Sequence, residues 1–364
     1  MKWIRKPNGE IKLPDGRPPR LLAVQIAGIG DLVLATPALS ALRERFPEAR
    51  IDVLTSPRAA NLLAGHPAVS NVYFFDIGRF RNPLSLLVPG MLYDLRNQTR
   101  PLRESRYDAL LSLNNVSTRR GALTLGLLLR SLEVPVWVGR NTDGRMSLFD
   151  GEVRESSADP VPEALTKLKV ASLLGADPAP RPLVLPVSRE ERERALRLLE
   201  QPGEWAAIMP GANVSHKRWP VERFAEIAVV LRARGMKIMV LGAKDDIEVA
   251  AHVTDAVAGN ARDLAGRVTL RETAALLQAC RVAVTNDTGP MHIAAAVGTP
   301  LVALFASVNV VRFRPWTADN RCRTLTSPCG SEYPESDPRA MEASLRCVGV
   351  PEVLGAVDEM LEEA

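Results

Sequence analysis

Aromatic residues are scarce in this sequence: Phe, Trp and Tyr together make up 5% of its 364 residues. No stripe of aromatics interleaves with Lys and Arg, which argues against a single-strand nucleic-acid binder built on stacking platforms. Nucleic acid is therefore not expected among the partners. Long apolar runs are missing too, and none reaches the roughly 18 residues that suggest a membrane span. The best candidate, residues 21–42, is broken by Gly28, Gly30, Asp31 and Pro37. The basic start (Lys2, Arg5, Lys6) is followed by no apolar stretch or small-residue cleavage site, so it does not read as a signal peptide. A cytoplasmic location is the expectation. Cysteine is limited to Cys280, Cys322, Cys329 and Cys347. Cys280 sits in an apolar helical pattern and reads as a buried thiol. The other three form no CxxC pair, so neither a metal site nor, in a reducing compartment, a disulfide is expected.

What is present points to a globular protein of two domains. Hydrophobic residues make up 46% and charged residues 24%, and the length exceeds one compact core. Net charge is +4, a balance that favours acidic partners such as phosphorylated small molecules. From residue 20 onward, short apolar runs alternate with turns and amphipathic helices. Strands are expected at 21–28, 51–56, 72–76 and 108–113. A helix carries the stripe Leu39, Leu42 and Phe46, and another lies around 59–64. Residues 79–106 mix Leu84, Leu86, Leu87, Val88, Met91 and Leu92 with six arginines. This segment reads either as a membrane-surface amphipathic element or as an ordinary helix covering the sheet. Pro83 and Pro89 shorten any helical face and favour the second reading.

A stiff proline-bearing segment at 176–188 (Pro178, Pro180, Pro182, Pro186) reads as a linker. It divides the chain into domains 1–180 and 181–364. Beyond it, a helix at 189–199 is followed by renewed alternation: strands beginning at Trp205, Lys237, Arg281 and Pro300, with helices at 221–234, 247–257 and 289–298 and a last one at 351–363. The fold class expected is α/β, with two doubly wound, Rossmann-like domains facing a cleft.

Three strand-to-helix turns carry the candidate chemistry. The first is AGIGDLVLATPAL, residues 27–39. Gly28 and Gly30 let the backbone turn tightly and a ligand approach closely. Asp31 reads as a carboxylate at a helix start or as a general base over a cleft. A dinucleotide fingerprint needs Gly or Ala where Val33 stands, and Asp52 opens its strand rather than ending it, so NAD fits poorly. The second turn is MPGANVSHKRWPVERF, residues 209–224. Asn213, Ser215, His216, Lys217 and Arg218 follow a strand end and suit a diphosphate, with Trp219 and Pro220 as anchors; the alternative is a solvated basic loop. The third is TNDTGPMHIAAAVGTPLVALF, residues 285–305. Free amides at Thr288 and Gly289, with the helix dipole, suit a phosphate. Asp287 either binds a sugar hydroxyl or caps the helix, and His292 falls in the first turn.

These three blocks, in this order and at this separation, resemble glycosyltransferase family 9, the heptosyltransferase family, over nearly the whole chain. The resemblance implies a GT-B fold, an inverting mechanism, no required cofactor or metal, and a nucleotide-sugar donor, with ADP-heptose first. It implies a phosphorylated glycolipid acceptor, the lipopolysaccharide core, met by peripheral contact with the inner face of the cytoplasmic membrane. Carried over by position, Asp31 is the general base and Gly28 and Gly30 border the acceptor. Asn213, Ser215, Lys217, Asp287, Thr288, Gly289 and His292 line the donor site, and Asp245 or its neighbour Asp246 meets the ribose. Arg58, Arg119 and Arg120 are assigned to acceptor phosphates from their place in the N-terminal half. The cysteine-bearing tail is similar to that of some members in which metal binding occurs, although three cysteines fall short of a four-ligand set. Two rivals share the layout: a sugar-nucleotide epimerase, which turns over its substrate without an acceptor, and a non-catalytic nucleotide-sugar-binding protein, which shows no turnover.

Overall fold

A computed structural model describes residues 11, 13–26, 28–80, 89–258, 261–306, 310–317, 321–327 and 338–363. Cys329 and the first part of the arginine-rich segment, 81–88, lie outside the described residues. The chain divides into two compact units, Met1–Arg181 and Pro182–Ala364.

In the first unit the strands are β1 (Arg20–Gln25), β2 (Arg50–Thr55), β3 (Asn71–Phe74), β4 (Ala109–Ser112), β5 (Val136–Thr142) and β6 (Gly151–Glu155). They form one parallel sheet in the order β3-β2-β1-β4-β5-β6. The second unit holds β7 (Trp205–Met209), β8 (Lys237–Val240), β9 (Ala261–Asp263), β10 (Cys280–Asn286), β11 (Leu301–Phe305) and β12 (Cys322–Thr326). Its sheet repeats the plan, β12-β11-β10-β7-β8-β9, again parallel. The fold is α/β of the GT-B class.

The physical cause is visible in the central strands. Parallel strands with helices on both faces lose contact with water on both sides, so they tolerate unbroken apolar runs. Leu21, Leu22, Ala23 and Val24 of β1 have no exposed surface, and neither do Val282, Ala283 and Val284 of β10. Leu22, Val24, Leu54, Leu110 and Leu128 join one core with the stacked pair Phe75 and Phe80. Ile208, Phe224, Ile227, Val284, Leu304 and Val353 build the other around the buried Trp219.

Both orders place the sequential switch between the first and fourth strands of the unit, β1/β4 and β7/β10. Ligands of doubly wound sheets bind in the crevice outside the carboxyl ends at such a switch.

Of the arginine-rich segment, the helix Pro89–Glu104 is described. It buries Leu95 and Leu102 in the first core and exposes Tyr93, which matches a helix covering the sheet. Residues expected as a helix around 59–64 form only the 3-10 turn Ala60–Leu63. The strands β5, β6, β9 and β12 were not foreseen. They are polar or short and lie toward the sheet margins, where the apolar signal fades.

Candidate functional site: two strand-end clusters

The helix Ile29–Val33 starts directly beyond β1. Gly28 is its N-cap, at φ −62° and ψ 168°, a conformation open to any residue. The tight glycine turn expected from sequence is therefore not what Gly28 provides. Asp31 lies in the first turn and accepts from the Gly28 backbone amide, so it supports the helix start while leaving a quarter of its side chain accessible. Gly30 is buried beside it.

Asp31 has a cation behind it. Lys167, on the helix Glu163–Ser172, has no exposed surface and places Nζ 3.9 Å from Asp31 Oδ1 and 3.4 Å from Glu163 Oε2. Burial pushes the Asp31 carboxyl above the ordinary carboxylate range; Lys167 pulls it back, Glu163 adds to the rise, and Arg140 opposes it. Arg58 follows β2, and Arg119 and Arg120 open the helix Arg119–Ser131 after β4. All three are exposed. Because β1, β2 and β4 run parallel, these arginines share the carboxyl edge of the sheet with Asp31.

The two halves of this edge are tied by one side chain. Asn114, just past β4, accepts from the Ile26 amide at 2.8 Å and donates to the Val24 carbonyl at 2.9 Å. Asn286, at the end of β10, does the same for the second sheet. It accepts from the Trp219 amide at 3.0 Å and donates to the Pro210 carbonyl at 2.8 Å. Each switch point is thus clasped by a buried asparagine.

That second clasp shapes the loop after β7. Trp219 is buried, donates Nε1 to the Val348 carbonyl at 3.0 Å and meets Phe224 edge-on, as expected of an anchor. Pro220 is the N-cap of the helix Val221–Ala233. Arg218 folds back on the Ala212 carbonyl (2.9 and 2.7 Å) and lies 3.7 Å from Asp246. Of the two adjacent cations, only Lys217 therefore turns toward the third block, its Nζ 2.5 Å from Asp287 Oδ2.

Asp287 is spent on that ion pair and does not cap the helix Gly289–Ala296. Its N-cap is Thr288, and no side-chain hydrogen bond caps the first turn. The helix start keeps its amide-rich, positive character beside the Lys217 ammonium. His292 is 5% exposed. Asn213 and Ser215 are exposed on the same strand-end side, at and before the turn Ser215–Lys217. Asp245 is exposed in the turn after β8, whereas Asp246 is buried and accepts from the Ala243 amide at 2.9 Å. Gly211 and Gly242 both pack on Asp246; a Cβ on Gly211 would fall 2.1 Å from its carboxyl carbon.

Elsewhere, Asp52 is consumed by Arg50, Asn71 and Tyr107 at 2.8, 3.0 and 2.6 Å, consistent with its exclusion as a ribose ligand. Cys280, Cys322 and Cys347 are free thiols, and no cluster of metal-ligating side chains occurs among the described residues. Burial raises the Cys280 thiol and holds that of Cys322 at about 11. Among the described residues no helix is long and apolar enough to cross a membrane.

Sequence reasoning missed Gln25, Asn114, Arg140, Glu163, Lys167 and Asn286. One signal was available: Glu163 and Lys167 occupy the same helical phase as the apolar Val170 and Ala171, which argues for a buried charge pair.

Known proteins align over most of this chain. Lipopolysaccharide heptosyltransferase 3 of Escherichia coli is 27% identical over 345 residues, 91% of this chain and 96% of that protein. Lipopolysaccharide heptosyltransferase 2 of Salmonella typhimurium is 28% identical over 300 residues, covering 79% and 82%. The structure of Escherichia coli ADP-heptose lipopolysaccharide heptosyltransferase II superposes with a TM-score of 0.73 at 26% identity, covering 95% of this chain and all of that one. The glycosyltransferase family 9 structure from Veillonella parvula shares the fold at a TM-score of 0.81 and 21% identity, over 97% of this chain and all of its own. The family model described as glycosyltransferase family 9 (heptosyltransferase) matches residues 95–340, well over half of the sequence, and the chain belongs to that family.

Proposed function

We propose that this glycosyltransferase moves heptose from ADP-heptose to a hydroxyl of the lipopolysaccharide core, with inversion at the anomeric carbon. The observation that carries the reading is the pair of strand-end clusters. One unit presents an accessible carboxylate with a cation behind it, and the other presents a lysine beside an uncapped helix start. The first suits removal of a proton, the second suits a leaving diphosphate. The names of the related proteins supply the donor and acceptor classes.

In the reaction, a lone pair of the acceptor oxygen forms the new bond to the anomeric carbon. The bond from that carbon to the diphosphate oxygen breaks on the opposite face, and its electron pair leaves with ADP. The acceptor proton passes to Asp31. Lys217 and the amides at Thr288 and Gly289 offset the charge growing on the diphosphate, a role in which a single donor accounts for about 10²–10³ in rate. Asp287 fixes the Lys217 ammonium where that charge develops, and Asn213, Ser215, Asp245 and His292 complete the donor side.

Arg58, Arg119 and Arg120, exposed on the carboxyl edge beside Asp31, bind acceptor phosphates, with Gly28 and Gly30 bordering the acceptor. A phosphorylated glycolipid brings the protein to the inner face of the cytoplasmic membrane. The test is acceptor dependence. ADP release from ADP-heptose should require a heptose-deficient lipopolysaccharide core and yield one heptosylated product per ADP. Turnover of ADP-heptose with no acceptor present favours the epimerase instead.

A further inference from the structure

Behind Asp31 lies a buried chain of charges that the reaction above does not use. Lys167 Nζ donates to Gln25 Oε1 at 2.9 Å and to the Leu113 carbonyl at 3.0 Å. Glu163, with no exposed side-chain surface, takes two N–H groups of Arg140 at 2.5 and 3.2 Å. Arg140 gives its Nε to Glu155 at 2.8 Å. Glu155 also receives the hydroxyls of Thr142 and Thr166. Charge alternates along the chain: Asp31 negative, Lys167 positive, Glu163 negative, Arg140 positive, Glu155 negative, with the three middle groups fully enclosed.

Packing alone does not account for this arrangement. Buried ion pairs of this kind often do no better than apolar side chains of similar volume. Gln25 makes the same point, since its Nε2 is buried without a hydrogen-bond partner while its Oε1 faces Lys167. An unpaired buried amide is costly. The amide is oriented to hold the ammonium.

We propose that Lys167 is a positioning residue for the transfer reaction: its ammonium, fixed by Gln25, the Leu113 carbonyl and Glu163, keeps the Asp31 carboxylate charged and able to take the acceptor's proton. The proposal rests on the reading of Asp31 as proton acceptor. The groups facing Lys167 come from every neighbouring element: Gln25 from β1, Asp31 from the turn beyond it, Leu113 from the end of β4, Glu163 from its own helix, and Arg140 from β5 backed by Glu155 of β6. Of these, burial and Glu163 favour a neutral Asp31, while Lys167 and, less strongly, Arg140 and the Gly28 amide favour the charged form. Removing the Lys167 charge leaves only the weaker pull of Arg140 and the Gly28 amide against the first two. Burial lowers the Lys167 ammonium below the ordinary lysine range, Glu163 and Asp31 pull it back up, and Arg140 adds to the lowering.

The test compares Lys167→Met, the charge-balanced double variant Lys167→Met/Glu163→Gln, and Asp31→Asn in the full chain. The probes are ADP-heptose and a heptose-deficient lipopolysaccharide core, with kcat and kcat/KM followed from acid to alkaline pH and ADP affinity measured by calorimetry. Lys167→Met should lower kcat at neutral pH by at least about tenfold with ADP affinity unchanged. Its acidic limb should move to higher pH, so that alkaline buffer restores much of the rate. The double variant, which also removes the opposing Glu163 charge, should bring the limb part of the way back, and it keeps the test open if Lys167→Met does not fold. A loss equal at every pH, with the limb unmoved in either variant, overturns the role of Lys167. If Asp31→Asn is inactive in that same experiment, the general-base reading survives without it. If Asp31→Asn retains the wild-type rate, both fall.

Discussion

Lys217 Nζ stands 2.5 Å from Asp287 Oδ2, joining two residues 70 positions apart at the carboxyl ends of adjacent strands. The Asp287 carboxylate is thereby engaged by the lysine, while the helix Gly289–Ala296 starts at Thr288 with no side-chain cap. In this account the lysine contributes most when the diphosphate leaves. Lys217→Ala should therefore lower kcat/KM for ADP-heptose by roughly 10²–10³ and weaken ADP binding in calorimetry. An unchanged ADP affinity removes Lys217 from the donor site.

The asparagine clasps give a stability prediction. Asn286 is fully buried and holds both the Pro210 carbonyl and the Trp219 amide. Asn286→Ala strands two buried backbone groups and should cost about 2–4 kcal/mol, lowering Tm by roughly 5–10 °C for a unit of this size. A shift within experimental error shows that the loop is held by Trp219 packing alone.

Gly211 makes a prediction of non-additivity. A methyl group there overlaps the Asp246 carboxylate, itself buried and bound to the Ala243 amide. Gly211→Ala should destabilise by about 1–3 kcal/mol. Combined with Asp246→Ala, the total should be smaller than the sum of the two single changes, because the clash is gone. Simple additivity in urea unfolding contradicts the overlap.

Acid should unsettle the first unit through His66. Burial lowers its pKa to about 4, while Nδ1 accepts from the Ala68 amide at 3.1 Å. The unfolded chain takes up the proton near pH 6.5 and the folded one only near 4, so this contribution is complete above 6.5 and is lost as pH falls between the two. The difference corresponds to about 3 kcal/mol. His66→Leu should flatten the decline in Tm across that window; an equally steep decline assigns it to other groups.

Much of this architecture can be read from the chain because burial on both sheet faces imposes apolar runs. The stretches around Leu21, Ile51, Trp205, Val282 and Leu301 announce β1, β2, β7, β10 and β11 in this way. Strand β5 was missed because only its first residues are apolar: Trp137 and Val138 are buried, but so are Arg140, Asn141 and Thr142, which are satisfied by ion pairs and hydrogen bonds rather than by apolar contact. The candidate site divides along the same line. Asp31, Lys217 and Asp287 lie in compact blocks whose glycines, prolines and small residues mark strand-to-helix turns. A Glu–Lys pair four apart is common on solvated helix faces, and only the phase it shares with Val170 and Ala171 marks it as buried. What that face meets, including Gln25 142 positions away, is shown by the fold alone.

The most direct measurement of the central claim is the transfer rate of Asp31→Asn alongside its affinity for ADP. The account predicts a fall in kcat of at least about 10² with ADP binding and Tm close to those of the unmodified protein. Transfer at the original rate, or loss of ADP binding together with activity, contradicts it.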